Sequence, residues 1–104
     1  MVTIVKTKTE YENIISSSKS VFVDFFADWC GPCKMVGPLV EKISDRNPDV
    51  RFIKVNVDNN PEIASMYGIM SIPTLIAFKD GKVAKQGLGF MQEPQLQQLV
   101  DSAK

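Results

Sequence analysis

The sequence has no histidine, only two cysteines and no net charge, its 12 basic residues balanced by 12 acidic ones. Without histidine, Ser-His-Asp and Cys-His catalysis are excluded. A structural zinc site wants four ligands, mostly Cys and His, so two cysteines leave it incomplete and no metal is expected. Nor can one cysteine pair be the multi-bridge framework of a small secreted domain. The charge balance offers no basic surplus for nucleic acid or a membrane surface. No apolar run approaches the roughly 20 residues of a membrane span, and residues 1–6 are too short an apolar stretch for a signal segment. A cytoplasmic location is the expectation from these absences. Repeats, low-complexity tracts and linkers are missing too, so residues 1–104 are expected to form a single domain. A chain of this size buries roughly two-thirds of its unfolded surface.

What is present is 44% hydrophobic residues in readable periods. Residues 2–5 suggest a short strand, and residues 10–15 part of a first helix. The run Val21-Phe22-Val23-Asp24-Phe25-Phe26 is apolar on both alternating faces except at Asp24. That is the pattern of a central strand covered by helices above and below. From about residue 33 to 46, Met35, Val36, Leu39, Val40 and Ile43 recur at three and four, the signature of an amphipathic helix. Pro38 lies inside it, which predicts a kink rather than a stop. Residues 51–57 read as another strand, and Asn60-Pro61 as the cap and first residue of a short helix reaching Tyr67 and ended by Gly68. Residues 74–78 form a strand, Asp80-Gly81 a hairpin turn, and residues 83–88 the returning strand. Pro94 opens a closing helix with Leu96, Leu99, Val100 and Ala103 inward. The resulting order, β-α-β-α-β-α-β-β-α, predicts an α/β fold with a central mixed β-sheet flanked by helices on both faces.

The chemistry-bearing pattern is Trp29-Cys30-Gly31-Pro32-Cys33, between the strand ending near Phe26 and the helix after it. Unpaired N–H groups and the dipole at a helix N-terminus favour a thiolate there. Lowering a thiol pKa from about 8.5 to about 7 raises the thiolate fraction at neutral pH from roughly 3% to roughly 50%. Each thiolate then becomes less nucleophilic, so the larger benefit is as a leaving group. Cysteines three apart on a helical turn meet the roughly 4.4 to 6.8 Å Cα separation that a disulfide needs. Gly31 is expected to permit a tight turn and Pro32 to hold a helix-compatible φ. These residues point to dithiol–disulfide exchange.

Over almost its whole length the chain resembles the thioredoxin family. The resemblance rests on residues 24–35, on Pro38, on Lys54-Val55-Asn56-Val57-Asp58, on Tyr67-Gly68-Ile69, on Ile72-Pro73-Thr74, and on Phe78-Lys79-Asp80-Gly81 with Gly89 beyond. It implies the thioredoxin fold and a general protein-disulfide reductase without a bound cofactor. Its implied partners are disulfide-containing protein substrates and an NADPH-dependent thioredoxin reductase, with the chain acting as a monomer. It further implies that Cys30 attacks the substrate and that Cys33 resolves the mixed disulfide. Trp29 is then the ring beside the site, Asp24 the buried carboxylate behind Cys33, and Lys54 that carboxylate's charged neighbour. Pro73 is implied to be a cis-proline facing the dithiol, with the Ile72 backbone bonding an extended substrate segment and Gly89 keeping the surface open. Gly-Pro between the cysteines points to a reductant near about −270 mV rather than an oxidase near about −120 mV. The chain departs from many relatives at Phe26, where they carry tryptophan, and at Met70-Ser71, where they carry arginine-glycine. A redox-independent binding or holdase module on the same fold is the alternative reading.

Overall fold

The computed structural model describes residues 1–104. Its elements follow the expected order: β1 (Thr3–Ile4), α1 (Lys8–Ser17), β2 (Ser20–Phe26), α2 (Gly31–Arg46), β3 (Arg51–Asn56), α3 (Pro61–Met66), β4 (Thr74–Lys79), β5 (Lys82–Leu88) and α4 (Glu93–Asp101). The strands form one mixed sheet in the order β1-β3-β2-β4-β5. The β1–β3 and β2–β3 pairs are parallel, as helical crossovers require, while β4 runs antiparallel to both β2 and β5. The hairpin between β4 and β5 turns through Asp80 and Gly81, both at positive φ, as the Asp-Gly signal predicts. No helix is long and apolar enough to cross a membrane.

Alternation along the central strands divides the core in two. Phe22, Phe52, Leu75 and Ala77 pack under α2 and α4 with Val36, Val40, Ile43, Leu96, Leu99 and Val100. Val21, Val23, Phe25, Ile53, Val55 and Ile76 pack on the opposite face with Tyr11 and Ile14 of α1 and Ile63 of α3. Each Val, Leu, Ile or Phe side chain among them, fully buried, contributes about 1.5 to 3 kcal/mol.

Several boundaries differ from the sequence reading. Helix α2 starts at Gly31 instead of near residue 33, because Pro32 in its first turn has no N–H that the helix would need. It continues through Pro38 to Arg46. Asn60 occupies the cap position of α3 without a side-chain capping bond. Its Nδ2 donates instead to the Asn56 carbonyl at 3.0 Å, tying the start of α3 to the end of β3. Met35 belongs by spacing to the inward stripe of α2 but is exposed, at the edge of that stripe.

Candidate active site

Strand β2 ends at Phe26, and Cys30 then serves as the N-cap of α2. Its sulfur accepts a hydrogen bond from the Cys33 N–H at 3.2 Å. An otherwise unpaired donor of the helix N-terminus is thus aimed at the Cys30 sulfur, which favours negative charge on it. Cys30 and Cys33 are joined as a disulfide, with Cα atoms 5.3 Å apart. Both residues are buried and pack with Ala27 against Phe26, Val57 and Ile72. Gly31 has neither a positive φ nor any atom within contact of where a Cβ would stand, so the turn itself does not demand glycine. Pro32 sits in the first helical turn, as expected.

The loop before β4 closes the other side of the pair. The Ile72-Pro73 bond is cis, and the Ile72 carbonyl oxygen lies 3.7 Å from the Cys30 sulfur. The Ile72 N–H and C=O take part in no backbone hydrogen bond within the protein. The Pro73 carbonyl accepts from the Gly89 N–H at 2.8 Å, which ties this loop to the end of β5. Gly89 has φ +78° and open space where a side chain would begin. Trp29 is 71% exposed and Met70 97% exposed, placing two large apolar side chains in solvent on the segments that flank the dithiol.

Trp29 has a partner that the sequence did not suggest: its Nε1–H donates to Asp58 Oδ2 at 2.8 Å. The side chain of Asn56 accepts the Asp58 and Asn59 N–H groups at 2.9 and 3.2 Å, making the turn from which Asp58 projects. The run of Asn and Asp from Asn56 to Asn60 was the available sign of such a turn.

Behind the dithiol, Asp24 is only 4% exposed, and its Oδ1 has no hydrogen-bond partner in the protein. Burial pushes this carboxyl up to about 7, opposed in part by the positive charge of Lys54. Asp24 and Lys54 are direct partners across the β2–β3 ladder. They nevertheless form no ion pair, and the Lys54 ammonium lies over the Phe26 ring, 5.8 Å from its centre. A pocket of about 170 Å³ is lined by Asp24, Phe26, Asp28, Cys33, Lys34 and Lys54. The buried carboxyl and the second cysteine therefore share one small space with an ammonium at its wall. Nowhere do three or more acidic or cysteine side chains converge in a metal-binding cluster.

Comparison with known proteins agrees with this geometry. The thioredoxin family model matches residues 2–102. A thioredoxin of Mycoplasmoides gallisepticum is 45% identical over 96 residues, covering 92% of this chain and 96% of that protein. One from Alicyclobacillus acidocaldarius is 46% identical over 101 residues, covering 95% and 96%. Among solved structures, Plasmodium falciparum thioredoxin superposes with a TM-score of 0.91 at 40% identity, covering 96% of this chain and 97% of that one. Fasciola hepatica thioredoxin gives 0.91 at 35% identity, covering 99% and 100%. With its fold, its Cys30–Cys33 pair and its whole length in agreement with these relatives, the chain belongs to the thioredoxin family and is a thiol–disulfide oxidoreductase.

Proposed function

We propose that the chain reduces disulfides in other proteins, with Cys30 as the attacking group, Cys33 as the resolving group and Asp24 as the proton acceptor for Cys33. The Cys30 thiolate attacks one sulfur of the substrate disulfide, and the other substrate sulfur leaves as a thiolate. Cys33 gives its proton to Asp24 and attacks Cys30, expelling the second substrate thiolate and forming the Cys30–Cys33 disulfide. Two electrons pass to the substrate, whose two thiolates take up protons. The observation that carries this reading is the junction itself. A helix N–H is bonded to the Cys30 sulfur, and a buried carboxyl near neutral pKa shares a pocket with Cys33.

The surroundings support an extended substrate segment lying along Ile72, whose N–H and C=O make no backbone hydrogen bond within the protein, with Trp29 and Met70 as apolar contacts. Gly31 and Pro32 are exposed in the first turn of α2 and shape the surface between the two cysteines. Lys54 tunes Asp24, and the cis Pro73 forms the opposite wall of the site. The oxidised pair is recharged by an NADPH-dependent thioredoxin reductase, and the chain works as one monomeric domain in the cytoplasm. A dithiol reductant suits a reducing compartment, and a chain whose only cysteines pair with each other has no thiol left for an intermolecular bridge.

Cys33→Ser tests the assignment of roles. After incubation with an oxidised protein, mass spectrometry should find the substrate trapped on Cys30, with multiple turnover lost. Absence of an adduct on Cys30 refutes the assignment. Reduction of insulin by the parent protein with dithiothreitol, and then with NADPH and a thioredoxin reductase, checks activity and recharging separately.

A further inference from the structure

Phe26 stands two residues beyond Asp24 on β2, so both side chains emerge on the face that carries α2. Lys54 is the cross-strand partner of Asp24 on β3, and Phe26 is therefore its diagonal neighbour. A lysine opposite a buried aspartate has an evident destination, the carboxylate, yet its ammonium rests over the ring at 5.8 Å. That distance is within the reach of about 6 Å at which an aromatic face attracts a cation. Asp24 Oδ1 is left without a partner as a result. The ring is fixed in place, because Phe26 also packs against the cluster of Ala27, Cys30 and Cys33.

We propose that Phe26 is a positioning residue for the proton transfer: its ring face holds the Lys54 ammonium off the Asp24 carboxyl and so keeps that carboxyl able to accept the Cys33 proton. The inference rests on the reading of Asp24 as that acceptor. An opposite charge in close contact pulls a carboxyl pKa down by about 1 to 3, which would leave Asp24 too weak a base to take a thiol proton. A lysine removed entirely would take away the one charge that opposes the effect of burial on the carboxyl. The ring supplies an intermediate position, near enough to moderate the effect of burial and too far to cancel it.

The charged and titratable groups around Asp24 are few. Asp28 comes from the loop after β2, Cys33 and Lys34 from α2, and Lys54 from β3, while the β4 partner of Asp24 is the apolar Leu75. Lys54 is the one that opposes the effect of burial on Asp24. Its placement is therefore the variable that a neighbouring ring can set.

The experiment is a carbon-13 NMR titration of the Asp24 carboxyl in the reduced protein, run beside the pH profile of mixed-disulfide resolution. Phe26→Leu, or Phe26→Met should the leucine variant fail to fold, removes the ring face while keeping an apolar side chain. Its Asp24 midpoint should fall by about one pH unit, a tenfold change in proton affinity. Phe26→Trp retains a ring and should stay within about 0.3 of the parent. Lys54→Met should raise the midpoint, and adding Phe26→Leu to it should change nothing further. A Phe26→Leu midpoint that is unchanged or raised overturns the proposal, as does the same fall in the absence of Lys54. A midpoint that falls while the resolution profile does not follow separates the two readings. That result supports the placement of Lys54 by Phe26 and overturns Asp24 as the acceptor.

Discussion

The two faces of the central sheet are built from the same two strands to opposite ends. On the face covered by α1 and α3, β2 presents Val21, Val23 and Phe25, and β3 presents Ile53 and Val55, all buried and apolar. On the α2 face the paired positions run Phe22 opposite Phe52, then Asp24 opposite Lys54, then Phe26 opposite Asn56. The first pair is core, the second charged, and the third borders the dithiol. Polar atoms are also treated differently. The Tyr11 hydroxyl, reaching into the first face, meets the Tyr67 hydroxyl at 3.0 Å, and burial together with that bond keeps it firmly protonated. Asp24 Oδ1 meets nothing. One face is satisfied and serves stability. The other runs from apolar core through a buried, unpartnered carboxyl to the cysteines, and the proposed proton transfer falls at that carboxyl.

That contrast predicts different consequences for cutting into each face. Phe25→Ala, on the satisfied face, should destabilise the protein by about 3 to 5 kcal/mol through lost burial and a residual cavity. The rate of disulfide reduction per folded molecule should stay at the parent value, which equilibrium unfolding and single-turnover kinetics on the same samples would establish. A rate that fell with stability would erase the division between the faces.

Asp24→Asn, on the other face, should do the reverse. The folded carboxyl is raised from 3.8 to about 7, so the folded state holds the proton more tightly than the unfolded chain. Stability from this group is fully present below the unfolded value and is lost as pH rises through the folded one. At about 1.4 kcal/mol per unit of pKa the ionised group costs about 4 kcal/mol at pH 8, of which a buried amide without partners returns about 1 to 3. The asparagine variant should therefore be more stable than the parent by about 1 to 3 kcal/mol at pH 8, with the gap closing as pH falls and reversing near pH 4, where the folded carboxyl is protonated and only the cost of the buried amide remains. Urea denaturation at the two pH values measures it, and disulfide reduction should be several-fold slower. The smallest change belongs to Trp29→Phe, which removes an exposed indole–carboxylate hydrogen bond. It should cost no more than about 1 kcal/mol in thermal or urea unfolding. A larger loss would place Trp29 in the stabilising framework and not at the substrate surface.

Much of this was legible in the chain because it follows from local pattern. Asp24 is conspicuous as the lone charge in an apolar run, and a Cys-Gly-Pro-Cys segment between a strand and an amphipathic helix marks a helix N-terminus. What stayed hidden depends on contacts distant in sequence. Trp29 and Asp58 are 29 residues apart, and nothing in either neighbourhood says that an indole N–H will find that carboxylate. Lys54 was expected beside Asp24, and the register agrees, but the competition between a carboxyl and the Phe26 ring for its ammonium is decided only when the strands are paired. Asn60 does cap α3 as expected, but its side chain makes no capping bond for a local reason: its amide donates to the Asn56 carbonyl four residues back. Met35 shows the limit of periodicity, which counts a residue at the margin of a stripe as part of it.

The proposed transfer of the Cys33 proton to the unsatisfied carboxyl on the α2 face can be tested directly. The most direct test forms the mixed disulfide on Cys30 by rapid mixing and follows its resolution by Cys33 from pH 5 to 9, in the parent and in Asp24→Asn. The parent rate should rise through a midpoint near 7, the value to which burial pushes Asp24, while in the asparagine variant that step should be missing and resolution at pH 7 several-fold slower. Superimposable profiles for the two proteins would contradict it.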